Sequence, residues 1–430
     1  MSHSASPIDD ELLDRFQRAA FAYFLEEFNP ANGLVADRSR TGSPASIAVV
    51  GFALSSYPIA VRRNWISRED AASRTLATLR FFWSSDHNDQ PDATGYKGFY
   101  YHFLNLQTGR REWRCELSVI DSAFLIAGAL TAGLFFVEDD EVENEIRSLS
   151  QQLYRRMDWT WAQNSKLAVS QGWKPECGFL NYGWEGYDEA LILYVLGLGS
   201  PTHPLADESF AAWTSTYQWE NIYGYDVLYS GPLFTHQYSH AWIDFRAIQD
   251  SFMGSKRSDY FQNSQQAIRI QREYAARNPH EFEGYGKSCW GFTACDGPGN
   301  KWVRVHNRDR RFFGYAARGV PFGPDDGTIS PSVCLASVPF EPGMALDALN
   351  FIRARYPKTC DGYRLANSFN PTLNEDGSDG WLSEGHFGLD QGMIVLMIEN
   401  HRSQWIWELM RGCTYIRDGL HRAGFNGGWL

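Results

Sequence analysis

GWEGYDEALILYVLGLGSPTHP, residues 183–204, decides how the rest of the chain is read. It opens on aromatics and acids: Trp184, Glu185, Tyr187, Asp188 and Glu189. From Ala190 to Leu198 it becomes an apolar helical run, and it stops in Gly-Ser-Pro. A glycine ahead of the run and glycine plus proline behind it are ordinary helix start and stop signals. A helix that is hydrophobic all round must be buried. Acids in its first turn suit the positive end of the helix dipole, and with Trp and Tyr beside them they also suit the rim of a cleft.

Working outward, apolar runs at 45–60, 117–135 and 389–398 match this helix in character. Between them lie amphipathic segments at 9–27, 67–84, 139–157 and 257–278, with apolar residues spaced by three and four. Shorter helices are expected near 207–215, 331–336, 341–355 and 402–411, and a helix over 234–246. Ser67 and Asp70 form a capping-box pattern at the start of the second amphipathic segment. Residues 85–115 and 279–330 read mainly as loop, the first with a short hairpin near Thr108-Gly109; loops this long usually carry function. Buried helices alternating with half-polar ones predict an all-α fold, an (α/α)6 toroid with an inner and an outer ring. No linker or low-complexity segment interrupts it, so residues 1–430 are expected to form a single domain.

Composition narrows the function. Lys and Arg number 39 against 51 Asp and Glu, a net charge of −12. That argues against a nucleic-acid partner, which needs a basic surface, and against an anionic membrane. No run reaches the length of a membrane span, and the N-terminus has neither the basic nor the apolar region of a secretion signal. The compartment stays unassigned on this reading. Seven cysteines are an odd number with no CxxC, so neither a zinc site nor a full disulfide framework is expected. The aromatic content, 15% with 16 Trp and 21 Tyr, fits a large core and equally a carbohydrate cleft.

If the inner helices run in one direction, their N-termini open at one end. Glu189, Asp390 and the pair Glu116 and Asp121 then share a rim. Glycoside hydrolysis needs one carboxyl to protonate the leaving oxygen and one to activate water or attack the sugar. Trp173, Trp184, Tyr187, Trp290 and Trp381 are candidate sugar platforms, and Arg38 a candidate hydroxyl ligand. Each acid also has a structural reading: Asp390 as an N-cap, Glu189 as a dipole-compensating acid, Asp121 as a buried structural group, Glu116 as a surface partner of Arg111 or Arg114. His236, His240 and Asp244 are spaced by four, which permits metal ligation on a helix face; without a further ligand cluster, contact with substrate or burial in the core is preferred, and no metal or cofactor is expected. Asp296, Asp325 and Asp326 read as solvated loop acids.

The pattern GYxEAxxLYxLxLGSPTHP, here Gly186 to Pro204, resembles the bacterial glucoamylase-like family that includes the endo-β-1,2-glucanases of glycoside hydrolase family 144. The stretches GLVADRSR (33–40), ASIAVVGFAL (45–54), GFYYHFLNLQTGRR (98–111), ELSVIDSAFLIAGAL (116–130), LFTHQYSHAWIDFR (233–246) and GLDQGMIVLMIEN (388–400) extend the resemblance over nearly the whole chain. It implies the (α/α)6 toroid and hydrolysis of β-1,2-glucan to sophorose-type oligosaccharides. The Glu of its GYxEA motif falls on Glu189 and the Asp of GxDQG on Asp390, the expected catalytic pair; Asp121 matches a sugar-contacting Asp. The expectation is an endo-acting, inverting enzyme, monomeric, with a β-glucan chain as its partner. A chain-end or different-linkage glycosidase and a non-catalytic glycan-binding protein are the alternatives.

Overall fold

The computed structural model describes residues 7–374 and 380–430. Residues 1–6, part of the N-terminal stretch read above for a secretion signal, lie outside the described residues.

The chain is mostly helical, and its helices alternate in burial. Ile47–Arg62 is buried from Ile47 to Ala60, and Val119–Phe135 from Val119 to Ala132. Leu191–Leu198 is buried at every position, and Gly388–Ser403 from Gln391 to Asn400. Between them run the half-exposed helices Pro7–Glu26, Arg68–Ser84, Glu141–Arg155, Tyr260–Arg277 and Pro342–Arg355. Glu141–Arg155 shows why: it turns Ile146, Leu149, Leu153 and Tyr154 inward and leaves its charges outside. The first helix returns to the last long one, with Gln17 Nε2 donating to Val395 O at 3.0 Å. One contiguous apolar cluster runs from Leu13 to Phe425.

Ile47–Arg62 and Val119–Phe135 approach backbone to backbone. A Cβ on Gly128 would sit 2.1 Å from Gly51 O, and one on Gly51 2.3 Å from Phe124 O, so both positions need glycine. Ser67 caps its helix as the sequence predicts, accepting from Asp70 N at 3.0 Å. Among the described residues no helix is long and apolar enough to cross a membrane, and the seven cysteines are free thiols.

The all-α expectation needs correction at the helix ends, where short strands gather the loops. Gly95–Tyr96, Phe99–Tyr101, Leu117–Ser118, Gly172–Lys174 and Gly178–Phe179 form one antiparallel sheet in that order, with Leu117 opposite Tyr101 and Trp173. Ala45–Ser46 pairs with Phe103–Leu104. The long loop 279–330 carries a hairpin, Lys301–Val305 with Arg308–Phe312. Residues 234–246 are not one helix. They form two 3-10 turns, Leu233–His236 and Tyr238–Ala241. Carbonyls that a helix would use internally are taken by neighbours: Ser264 Oγ donates to His236 O at 2.7 Å, Trp407 Nε1 to His240 O at 2.6 Å and Asn400 Nδ2 to Ala241 O at 3.0 Å.

Candidate active site

A cleft of about 270 Å³ opens where these short strands meet the helix N-termini. Glu116, Asp121, Trp184 and Glu189 line it, together with His102, Tyr238 and Tyr315. A larger cavity, about 780 Å³, lies elsewhere, between Arg68–Ser84 and the start of Glu141–Arg155. Its one buried acid, Glu143, is already held by Arg68 Nε at 2.6 Å, so we place the chemistry in the smaller cleft.

Glu189 stands two residues ahead of Leu191–Leu198, not in its first turn. Ser239 Oγ donates to Glu189 O at 3.2 Å and fixes the backbone there. Closely surrounded yet open to the cleft, its carboxyl is raised well above the ordinary range by burial first and then by Asp188 and Asp121. Asp188 is also raised by burial, although Ala190 N (2.9 Å) and Trp213 Nε1 (3.2 Å) donate to its Oδ1.

Asp390 is the third residue of Gly388–Ser403. It lines a small pocket of about 20 Å³ that shares Phe234, Tyr238 and Ala294 with the cleft. That volume holds about one water molecule. Asn367 Nδ2 donates to Asp390 Oδ2 at 2.9 Å, and Asn367 Oδ1 in turn accepts from Asp296 N at 2.9 Å. Burial raises the Asp390 carboxyl to about 7, with Asp37 and Asp296 adding to the rise and Asn367 and Ser332 opposing it. Tyr238 lines both spaces, the cleft with Glu189 and the small pocket with Asp390.

In the same cleft His102 bridges two acids. Its Nδ1 is 3.0 Å from Glu116 Oε1 and its Nε2 3.6 Å from Asp121 Oδ2. Burial alone would lower its pKa; Asp121, Glu116 and Asp37 override that and lift it to about 9. The His102 hydrogen bond holds Glu116 down at about 2. Asp121 also accepts from Ser118 Oγ. Trp184 lines the cleft, and its indole nitrogen is buried without a protein acceptor.

Arg38 joins loops rather than lining the cleft. It pairs with Asp37 at 3.3 Å and Asp296 at 3.1 Å and lies 4.1 Å over the Phe387 ring. Asp296 is therefore not a solvated acid. Neither are its two companions: Asp326 is in a fully buried pair with Arg318 at 2.7 Å, and Asp325 accepts from Tyr274 at 2.8 Å and from Tyr285. The Arg318–Asp326 pair also receives Phe313 N at 2.9 Å, which anchors the loop that carries Tyr315 over the cleft.

Several expected ligands face elsewhere. Trp290 is 0% exposed in the core and offers no face to a sugar. His236 and His240 are buried and bonded to Ser230 O (3.0 Å) and Ser264 Oγ (3.2 Å); burial lowers them to about 4 and about 3, the behaviour of neutral core histidines. The Asp244 carboxylate is bound by Arg246 at 2.7 Å and by Arg411. Tyr187 packs among Tyr217, His236 and Tyr260. Trp173 packs against Tyr96 at a tilt and Trp161 edge-on, and Trp381 leans on a satellite cluster of Val305, Phe312 and Leu373. His102 and Tyr238 lie within the quoted stretches 98–111 and 233–246 but were not singled out there, and Tyr315 and Asn367 lie outside every such stretch; only their place in loops flanking inner-helix starts could have drawn attention to them.

Known proteins share this fold. A curated exo β-1,2-glucooligosaccharide sophorohydrolase (non-reducing end) from Parabacteroides distasonis is 26% identical over 452 residues, covering 96% of this chain; the chain spans 58% of that relative's length. A solved structure from Bacteroides uniformis, described as a "putative glucoamylase", superposes with a TM-score of 0.86 at 29% identity, with both chains covered completely. An endo-β-1,2-glucanase from Chitinophaga pinensis, solved with sophorotriose and glucose, gives 0.83 at 25% identity over 99% of this chain and all of that one. The model of the Glycoamylase family matches residues 181–414, more than half the chain and including both Glu189 and Asp390. The chain belongs to that family.

Proposed function

We propose that this protein hydrolyses β-1,2-linked glucan to sophorose-type oligosaccharides, attacking within the chain and inverting the anomeric centre. In this reading the alternating buried and half-exposed helices form an (α/α)6 toroid of one domain, and the cleft at the inner helix N-termini receives the glucan. Glu189 is the general acid: its neighbours Asp188 and Asp121 are acids, so it keeps its proton near neutrality for the leaving oxygen. Asp390 is the base: its pocket has room for about one water molecule, and the neutral groups Asn367 and Ser332 hold its carboxylate in place to accept that water's proton. Two carboxyls divided between a leaving-group side and a water side are what inversion requires. The carrying observation is that Glu189 and Asp390 line two adjoining spaces that share Phe234, Tyr238 and Ala294, and that burial raises both carboxyls. Trp184, Tyr315, Glu116 and Asp121 would hold the sugar rings and hydroxyls.

The exo-acting relative from Parabacteroides distasonis favours a second reading, disaccharide release from a chain end. Digestion of linear β-1,2-glucan, β-1,3-glucan and starch, followed by product length over time, tests both. Long β-1,2-linked intermediates support internal attack, and sophorose alone from the first minutes supports attack from an end. Turnover of starch without β-1,2-glucan contradicts the substrate assignment.

A further inference from the structure

The rim of the cleft carries a built aromatic feature that the chemistry above does not use. Trp113 is 63% exposed, an unusual state for an indole. It is also held there against backbone preference: Trp113 and Arg114 both take left-handed conformations, φ +54° and +50°, which bulky residues rarely adopt. Arg111, its side chain 1% exposed, clamps the turn. Its Nε donates to Cys115 O at 2.6 Å, its Nη2 to Arg114 O at 2.9 Å and its Nη1 to Glu176 Oε1 at 2.8 Å. Glu112 N adds a bond to Phe103 O at 2.9 Å.

The exposed ring points back to the site. Trp113 lies 5.1 Å from Phe103, and Phe103 stacks at 3.9 Å on His102, which lines the cleft. Glu116, three residues after Trp113, lines the same wall. An imidazole, a phenyl ring and an indole therefore step from the cleft to the surface, the last one rigidly presented and bare.

We propose that Trp113 is a distal sugar platform, stacking on a glucose unit of the same β-1,2-glucan chain beyond those held in the cleft and so setting a preference for longer substrates. This rests on the glucan reading above. A flat indole offers apolar area to the C–H face of a pyranose at little cost in conformational entropy.

The test compares kcat/KM on β-1,2-glucooligosaccharides of graded length for the wild type, Trp113→Ala and Trp113→Phe, with thermal midpoints as a folding control. Trp113→Ala should lose about tenfold on long chains and less than about twofold on the shortest cleaved substrate, and Trp113→Phe should recover most of the loss. A loss equal at every length, or none at any length, overturns the platform while leaving the glucan reading intact. A wild type inactive at every length removes the glucan reading and the platform with it.

Discussion

Asp390 and Glu399 sit on one helix, nine residues apart, and they show two ways of burying an acid. Glu399 is fully buried at the far end, where Arg63 Nε meets it at 2.8 Å, Gln17 Nε2 at 3.1 Å and Ser403 Oγ at 2.6 Å. Asp390, at the cleft end, is held only by neutral groups, Asn367 and Ser332, and faces the acids Asp37 and Asp296. A buried carboxylate with a cation and hydrogen bonds is a structural joint; one without a cation is driven toward its protonated form. The same contrast separates Glu189, crowded by Asp188 and Asp121, from Asp244, which its arginines hold below the ordinary range despite burial. Pairing, not burial, distinguishes the acids available for proton transfer from those that brace the fold.

The largest effect that would sharpen this contrast is on turnover. Glu189→Gln and Asp390→Asn should each reduce glucan hydrolysis by about 10³-fold while the protein stays folded. Asp390→Asn should also stabilise the protein with rising pH. A carboxyl raised in the folded state contributes stability below its ordinary value near 3.8 that is lost as pH climbs through about 7, and the amide has no such loss. Glu399→Ala should do the opposite, costing about 3 kcal/mol of stability by stranding Arg63, with turnover per folded molecule nearly unchanged. Denaturant melts and initial rates on the three variants separate the two patterns, and comparable stability losses in all three would break the comparison.

A smaller effect is expected from Asn367→Ala. Removing the donor that favours the charged form of Asp390 should raise its pKa further. The acidic limb of the pH–rate profile should then move upward by about one pH unit, since a hydrogen bond to a charged group is worth about 1.5 kcal/mol or more. A downward shift would mean that Asp390 does not govern that limb.

Much of this was legible in the sequence, for physical reasons. Apolar runs such as 47–60 and 119–132 must be buried whatever surrounds them, so the helices and their alternation follow from periodicity. Glu189, Asp390, Glu116 and Asp121 were findable because acids beside the starts of apolar helices are conspicuous. What local sequence cannot say is which loop aromatics turn inward. Trp290 and Trp184 read alike in the chain, yet one is sealed in the core and the other lines the cleft. The spacing of His236 and His240 suggested a helix face, but bonds from Ser264, Trp407 and Asn400 replaced the helix with 3-10 turns. His102 lies within the quoted stretch 98–111, but its role could not be read there because it comes from Glu116 and Asp121, fourteen and nineteen residues away, folded around it.

The most direct measurement is the titration of the cleft carboxyls themselves, by ¹³C NMR of side-chain carboxyl-labelled protein, with Glu189→Gln and Asp390→Asn providing the assignments. This account predicts a titration near pH 7 that disappears in Asp390→Asn, and another well above the ordinary glutamate range that disappears in Glu189→Gln. Both carboxyls titrating in the ordinary range near pH 4 would contradict it.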